Sequence, residues 1–167
     1  MSRLTSVSLS LALIAAVSLP AFAKTEKDFL SDAIKGDNSE IAMGQLALAN
    51  GGAQAMKTFG QTLINDHSKN KTEAEALASK LGLSPPSGMT PEAQQAMAKL
   101  EKLKGREFDR EFSQLMVKDH EKTISEFKAE ATSEHGPVQQ FASQSLPTLE
   151  KHLRMAKDLE AGKAATD

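Results

Sequence analysis

Cysteine, tryptophan and tyrosine are all absent from this sequence, and their absence narrows the chemistry that the protein can perform. Without cysteine there is no disulfide framework, no thiolate metal site and no cysteine nucleophile. Phenylalanine is the only aromatic residue, and aromatic residues make up 4% of the chain. Positive charge is not in excess either, because 20 basic residues are balanced by 22 acidic ones. The sequence therefore predicts no nucleic-acid partner.

Long apolar runs are also missing, except for one near the start of the chain. Arg3 precedes an apolar run over residues 9–19, and the run is followed by Ala21-Phe22-Ala23. This order is typical of a signal peptide that is cleaved after Ala23, and the run is too short for a stable membrane anchor. We expect residues 1–23 to be removed and residues 24–167 to form one periplasmic domain, without membrane insertion after cleavage. Full secretion and a eukaryotic secretory route stay open, and the sequence predicts neither a protein partner nor an oligomeric state.

The remaining composition favours an all-α protein. Alanine, leucine, lysine and glutamate are frequent, and β-branched residues are scarce. Apolar residues recur at helical spacing in four long segments, with a shorter one beginning at Thr90-Pro91. The long segments cover residues 26–50, 53–81, 106–132 and 137–161. They predict an up-down four-helix bundle of the ferritin-like kind, with its third helix broken near Gly105.

Four ionisable residues interrupt the apolar faces of these helices. Each lies near the midpoint of a different long helix, where burial is costly without a partner. The four residues are Glu40, His67, His120 and His152. Mid-helix positions share one level in an up-down bundle, so the four side chains are predicted to converge. They would suit one divalent ion, either zinc, iron, copper or manganese, whose binding should weaken below about pH 6.

Part of the pattern occurs twice. Residues 59–69 and 112–122 both contain Phe, Gln, Asp, His and Lys at matching positions. Asp66 and Asp119 precede the two histidines of this repeat, and on a helix they point about 100° away from them. We therefore expect these carboxylates to contact other helices, or ligand histidines there, rather than the ion itself.

The sequence leaves several roles open for the four buried residues. In one, Glu40 accepts hydrogen bonds from the histidines, and the buried network fixes helix register in a metal-free structural or interaction module. In another, the same cluster serves a metal-dependent redox enzyme. A third combines His120 and His152 with Met116 and Met155 around Cu(I), although methionine also fills core gaps. No catalytic residue is predicted, and both His135 and Asp109 are expected to be solvated and inert.

The ordered motifs resemble a family of bacterial secreted proteins defined by a domain of unknown function. The motifs are Ser39-Glu40-Ile41, Asp66-His67, Phe108-Asp109, residues 116–120, and Leu146-Pro147 followed by His152-Leu153. The resemblance covers nearly the whole chain after residue 23. It implies a ferritin-like helical bundle in the periplasm, and members of the family are often labelled outer membrane proteins. It implies no established activity.

The sequence departs from the di-iron pattern of ferritin-like proteins. That pattern places a glutamate three residues before a ligand histidine on two helices. The corresponding residues here are Ile64, Val117 and Leu149, all apolar. Since too few carboxylates reach the core to bridge two irons, we expect a single-ion site that serves metal homeostasis or envelope stress rather than a di-iron enzyme.

Overall fold

The described part of the chain, residues 24–163, is helical and contains no strand. In this computed structural model, five helices follow in order: α1 Glu26–Asn50, α2 Gln54–Lys80, α3 Pro91–Leu100, α4 Gly105–Ala131 and α5 Pro137–Glu160. The all-α prediction is confirmed, and the long helices end within about a residue of their predicted bounds. None of these helices is both long and apolar enough to cross a membrane. The predicted signal peptide lies outside the described residues.

The interruption predicted near Gly105 separates α3 from α4. Helix α3 begins with Thr90 as its cap, which accepts a hydrogen bond from the backbone N–H of Ala93, and ends at Leu100. Gly105 opens α4 with a φ of +60°. Because side chains disfavour this backbone region, glycine allows the turn between the two helices.

The N-terminus of α2 is capped by a residue of α4. Ala53 precedes α2 and has no side-chain acceptor. Instead, the two carboxylate oxygens of Asp109 accept from the backbone N–H groups of Gly52 and Ala53, each at 2.9 Å. The prediction that Asp109 is only solvated is therefore wrong. Its negative charge is favourable at the N-terminus of α2, and its hydrogen bonds connect α4 to the start of α2.

The long helices pack mainly as two pairs, α1 with α2 and α4 with α5, and α2 also contacts α5. The first pair is in close backbone contact where Gly44 meets Gly60. A Cβ added to Gly44 would lie 2.6 Å from the carbonyl oxygen of Gly60, so a larger residue does not fit at this crossing. Contacts between α1 and α4 are sparse, which leaves a cleft between them.

Buried apolar residues form two clusters, and each long helix contributes to both. The methionine-free cluster contains Phe29, Leu30, Ala33, Ile34, Ala74, Ala78, Ile124, Phe127, Val138, Phe141, Ala142 and Leu149. The methionine-containing cluster contains Met43, Ala47, Met56, Phe59, Leu63, Leu100, Phe108, Phe112, Met116, Met155 and Ala156. Along each long helix, buried polar residues separate the two stretches. We call this zone the polar layer, and its ionisable members are Asp37, Glu40, His67, His120 and His152.

Candidate metal centre

Three histidines from three helices meet in the polar layer. His67 of α2, His120 of α4 and His152 of α5 are 6%, 1% and 0% exposed. Their ring centroids lie 5.2 to 6.1 Å apart. One ligand nitrogen from each ring lies within 4.8 Å of those of the other two. The structure thus brings together the three histidines that the sequence singles out, and we call them the histidine triad.

Each ring of the histidine triad uses one nitrogen to bind the surrounding protein. The pairs are His67 Nδ1 with Asp37 Oδ1 at 2.8 Å, His120 Nδ1 with the Met116 carbonyl at 3.0 Å, and His152 Nε2 with Asp66 Oδ2 at 2.9 Å. A carbonyl oxygen only accepts, so His120 carries its proton on Nδ1. The two carboxylates likewise favour a proton on the nitrogen that faces them.

The second nitrogen of each ring has no hydrogen-bond partner among the described residues. These atoms are Nε2 of His67, Nε2 of His120 and Nδ1 of His152, all buried. An unpaired buried polar atom is unfavourable, by about 1–3 kcal/mol. Metal-binding histidines typically donate one N–H to a carboxylate or carbonyl and offer the other nitrogen to the ion. The donor set therefore fits a transition-metal ion.

Burial favours the neutral form of two of the histidines, His120 and His152, and a metal requires that form. Burial lowers the pKa of His120 well below 6.5, and the neighbouring His67 and His152 lower it further. Burial and the nearby His67 also lower the pKa of His152 to about 4, although its hydrogen bond to Asp66 acts in the opposite direction. At these two rings, protons should therefore compete with a metal at a more acidic pH than the value near 6 expected from an ordinary imidazole.

Glu40 is buried in the layer but belongs to a second group of ligand atoms. It is 5% exposed. Its carboxylate forms a group with the carboxylate of Asp119 and a ring nitrogen of His120, and the three ligand atoms are within 4.8 Å of one another. Its Oε2 atom has no hydrogen-bond partner in the described part of the chain. Burial and the adjacent Asp119 raise the pKa of Glu40 well above 4.5. The structure thus divides the four predicted ligands between two groups that share His120.

Asp119 is directed toward another helix, as the sequence predicts, and it is not part of the histidine triad. It lines the cleft between α1 and α4 together with Glu40. The two residues therefore face each other across the cleft. Asp66 behaves as expected, because its carboxylate holds the ring of His152 on another helix.

Sequence reasoning missed three polar residues that support His67. Asp37, which is 3% exposed, accepts hydrogen bonds from His67 and from the side-chain amide of Asn70. Ser145 of α5 in turn donates to Asn70 Oδ1 at 2.7 Å. Burial raises the pKa of Asp37. The sequence did contain a signal for two of them. Asp37 lies about one helical turn before Glu40, and Asn70 lies about one turn after His67, so each is on the same side of its helix as a predicted ligand.

The remaining candidates lie outside both groups. Met116 and Met155 are each 1% exposed within the methionine-containing cluster, and the Cu(I) alternative that uses them stays a prediction. His135 is half-buried rather than fully solvated, contrary to the sequence prediction. Its Nδ1 lies 2.7 Å from Oε1 of the buried Glu130, and this contact links the end of α4 to the turn before α5.

The cleft between α1 and α4 connects the polar layer with the surface. It has a volume of 390 Å³, and its lining includes Glu40, Asp119, His67 and His120. At the rim, Lys24 pairs with Asp32 of α1 at 2.9 Å and with Glu126 of α4 at 3.4 Å. The cleft therefore brings the surface close to the polar layer, while the unpaired ligand atoms themselves stay buried.

Comparison with known proteins gives one family and one structural likeness. The family described as "Domain of unknown function (DUF4142)" matches residues 12–159. No curated protein matches the sequence. A solved structure described as "CopM in the Cu(II)-bound form" is similar, with a TM-score of 0.71 and 16% sequence identity. The likeness covers 84% of this chain and 99% of the other, and at this identity it shows a shared fold.

Proposed function

We propose that this chain, a member of the DUF4142 family of domains of unknown function, binds one transition-metal ion through His67, His120 and His152. The observation that carries the proposal is the set of three buried ring nitrogens without partners among the described residues. Zinc, iron, copper and manganese are the candidate ions. Copper(II) is the first to test, since imidazoles suit it and the structurally similar CopM is described as Cu(II)-bound.

The protein's own contribution is to hold three imidazoles in fixed orientations. Asp37, the Met116 carbonyl and Asp66 each fix one ring through the nitrogen on its far side. Three imidazoles leave the charge of a divalent ion uncompensated, and a nearby carboxylate such as Glu40 would balance it in part. A bound ion would supply the partner that the ring nitrogens otherwise lack.

The sequence supports an expected location and domain organisation for this metal-binding chain. Residues 1–23 would direct export, and residues 24–167 would form one up-down, ferritin-like four-helix domain in the periplasm. Metal homeostasis or envelope stress is the role that we propose there. We propose no nucleic-acid binding and no membrane insertion after cleavage for this protein.

The metal-free alternative requires a different pattern of hydrogen bonds. It assumes that Glu40 accepts from the histidines, but no such bond is present among residues 24–163, where His67 and His152 instead bind Asp37 and Asp66. A redox enzyme would need an open coordination position, for which the cleft gives access. Among residues 24–163 no side chain specifically indicates such a reaction, and we propose binding alone.

The test compares two histidine variants of the mature chain. His120→Ala should abolish stoichiometric binding of Cu(II) and Zn(II), because His120 contributes to both ligand groups. His135→Ala is the matched control, since His135 lies in the turn before α5 and belongs to neither group. Metal content is measured by elemental analysis after dialysis against each ion.

Thermal and chemical denaturation shows whether each variant is folded. At a free metal concentration of ~1,000 times Kd, the ion should stabilise the wild type by about 4 kcal/mol and leave folded His120→Ala unchanged. Equal metal content in the two variants, or a wild type that takes up none of the four ions, would refute the proposal.

A further inference from the structure

The two groups of ligand atoms share one residue, and this residue can serve only one of them at a time. His120 belongs both to the histidine triad and to the group with Glu40 and Asp119, which we call the carboxylate group. Its Nδ1 donates to the Met116 carbonyl, so Nε2 alone is free. A neutral imidazole nitrogen has one lone pair and binds one ion. Full occupancy of one group therefore excludes full occupancy of the other.

The two groups differ in the ions that they favour. The histidine triad offers three nitrogens, which suit copper(II) and zinc(II). The carboxylate group offers two carboxylates and one nitrogen, and carboxylate oxygens suit manganese(II). With both carboxylates ionised, the second group would also neutralise the charge of a divalent ion.

The carboxylate group is more than a cluster of acidic residues. Glu40 is 5% exposed, its Oε2 has no hydrogen-bond partner within residues 24–163, and it lines the cleft. Asp119 lies in the same cleft and is half-buried. Two carboxylates held side by side repel each other when both are ionised, and a cation between them removes that repulsion.

We infer that Glu40, Asp119 and His120 form a second cation site, which takes manganese(II)-like divalent ions and is mutually exclusive with the histidine triad. This inference rests on the proposed function. The chain would hold one ion at a time in either of two positions. An ion that prefers oxygen ligands binds to the carboxylate group. An ion that prefers nitrogen ligands binds to the histidine triad and displaces the first ion, because it uses the ring nitrogen of His120.

The experiment titrates the mature chain with Mn(II), followed by electron paramagnetic resonance of the free ion, and then adds Zn(II). We expect one Mn(II) per chain, released as Zn(II) binds. Asp119→Asn should weaken Mn(II) binding by about 10-fold or more and leave Zn(II) affinity nearly unchanged. The internal repeat supplies a matched control, Asp66→Asn, which makes the same substitution at the equivalent position and should leave Mn(II) binding intact.

His152→Gln completes the design, because His152 belongs to the histidine triad alone. It should weaken Zn(II) and spare Mn(II), and melting curves verify that each variant folds. Native mass spectrometry that finds Mn(II) and Zn(II) together on one chain would overturn the inference, as would equal Mn(II) binding by the wild type and Asp119→Asn. A wild type that binds Zn(II) but not Mn(II) would also overturn it and leave the proposed function standing. Binding of neither ion, nor of copper or iron, would refute both.

Discussion

Helix α4 passes through three environments that differ sharply in chemistry. Phe112 and Met116 lie in the methionine-containing cluster, His120 lies in the polar layer, and Ile124 and Phe127 lie in the methionine-free cluster. The other long helices show the same succession, in one direction or the other. The core is therefore two hydrocarbon regions separated by a thin zone of ionisable groups.

The regions make opposite contributions to the free energy of unfolding. A fully buried phenylalanine stabilises the fold by about 1.5–3 kcal/mol. Each unpartnered buried polar atom costs about 1–3 kcal/mol, and the polar layer holds four of them. The two apolar clusters offset the unfavourable free energy of these unpaired atoms. A layer that is unfavourable without a ligand is more readily explained by binding than by structural support.

The largest effect on stability should come from a substitution in a cluster. Phe112 is fully buried, with its ring centroid 5.2 Å from that of Phe108 and 6.3 Å from that of Phe59. Phe112→Ala should lower the free energy of unfolding by about 3–5 kcal/mol, through lost contacts and a residual cavity. Denaturant titrations with and without Zn(II) should give the same loss, because the ion's contribution arises in the polar layer.

Leu48→Ala provides the control for this substitution, since Leu48 is 37% exposed and should change stability little. If Phe112→Ala removed the stabilisation by Zn(II) while the protein stayed folded, the cluster and the polar layer would not contribute independently to the free energy of unfolding.

A second test uses pH, to which the polar layer should respond and the two apolar clusters should not. The pKa of His152 is about 4 in the folded chain, against an ordinary value of 6.5. Between these values the unfolded chain binds a proton that the folded chain excludes, so stability falls as the pH drops from 6.5 to 4. The loss from His152 should approach about 3 kcal/mol.

The measurement compares wild type with His152→Gln in the presence of a chelator. The raised pKa values of Glu40 and Asp37 act in the opposite direction, but both groups are present in both proteins and largely cancel in the difference. The wild type should lose more stability on acidification than the variant. Parallel pH curves would show that His152 is not held neutral by burial.

Sequence periodicity was sufficient for the helices and for the three histidines. Each histidine lies on an apolar face, so helical spacing alone predicts that it is buried. The interruption of the third helix could also be predicted, because glycine readily adopts the positive φ that Gly105 shows.

Contacts between helices could not be predicted in the same way. Asp109 was expected to be solvated, but only the path of the α1–α2 loop places two N–H groups against it. Asp119 comes close to Glu40 because α1 and α4 face each other across the cleft, and rotation of neighbouring helices is not encoded in either helix alone. Periodicity identified Glu40 and the three histidines of the layer but not Asp37, and it left open the division of the ligand atoms into two groups.

The smallest expected effect tests whether the polar layer opposes folding when no ion is bound. His120→Leu replaces a buried ring that has an unpartnered nitrogen with a hydrocarbon, and the Met116 carbonyl keeps its place in the α4 helix. Without metal, the variant should be more stable than wild type by about 1 kcal/mol, because the unpaired polar atom is gone. With Zn(II) the order should reverse, since the variant gains nothing from the ion. Denaturant midpoints measured with chelator and with Zn(II) provide the comparison, and a variant less stable than wild type under both conditions would mean that His120 supports the fold without a ligand.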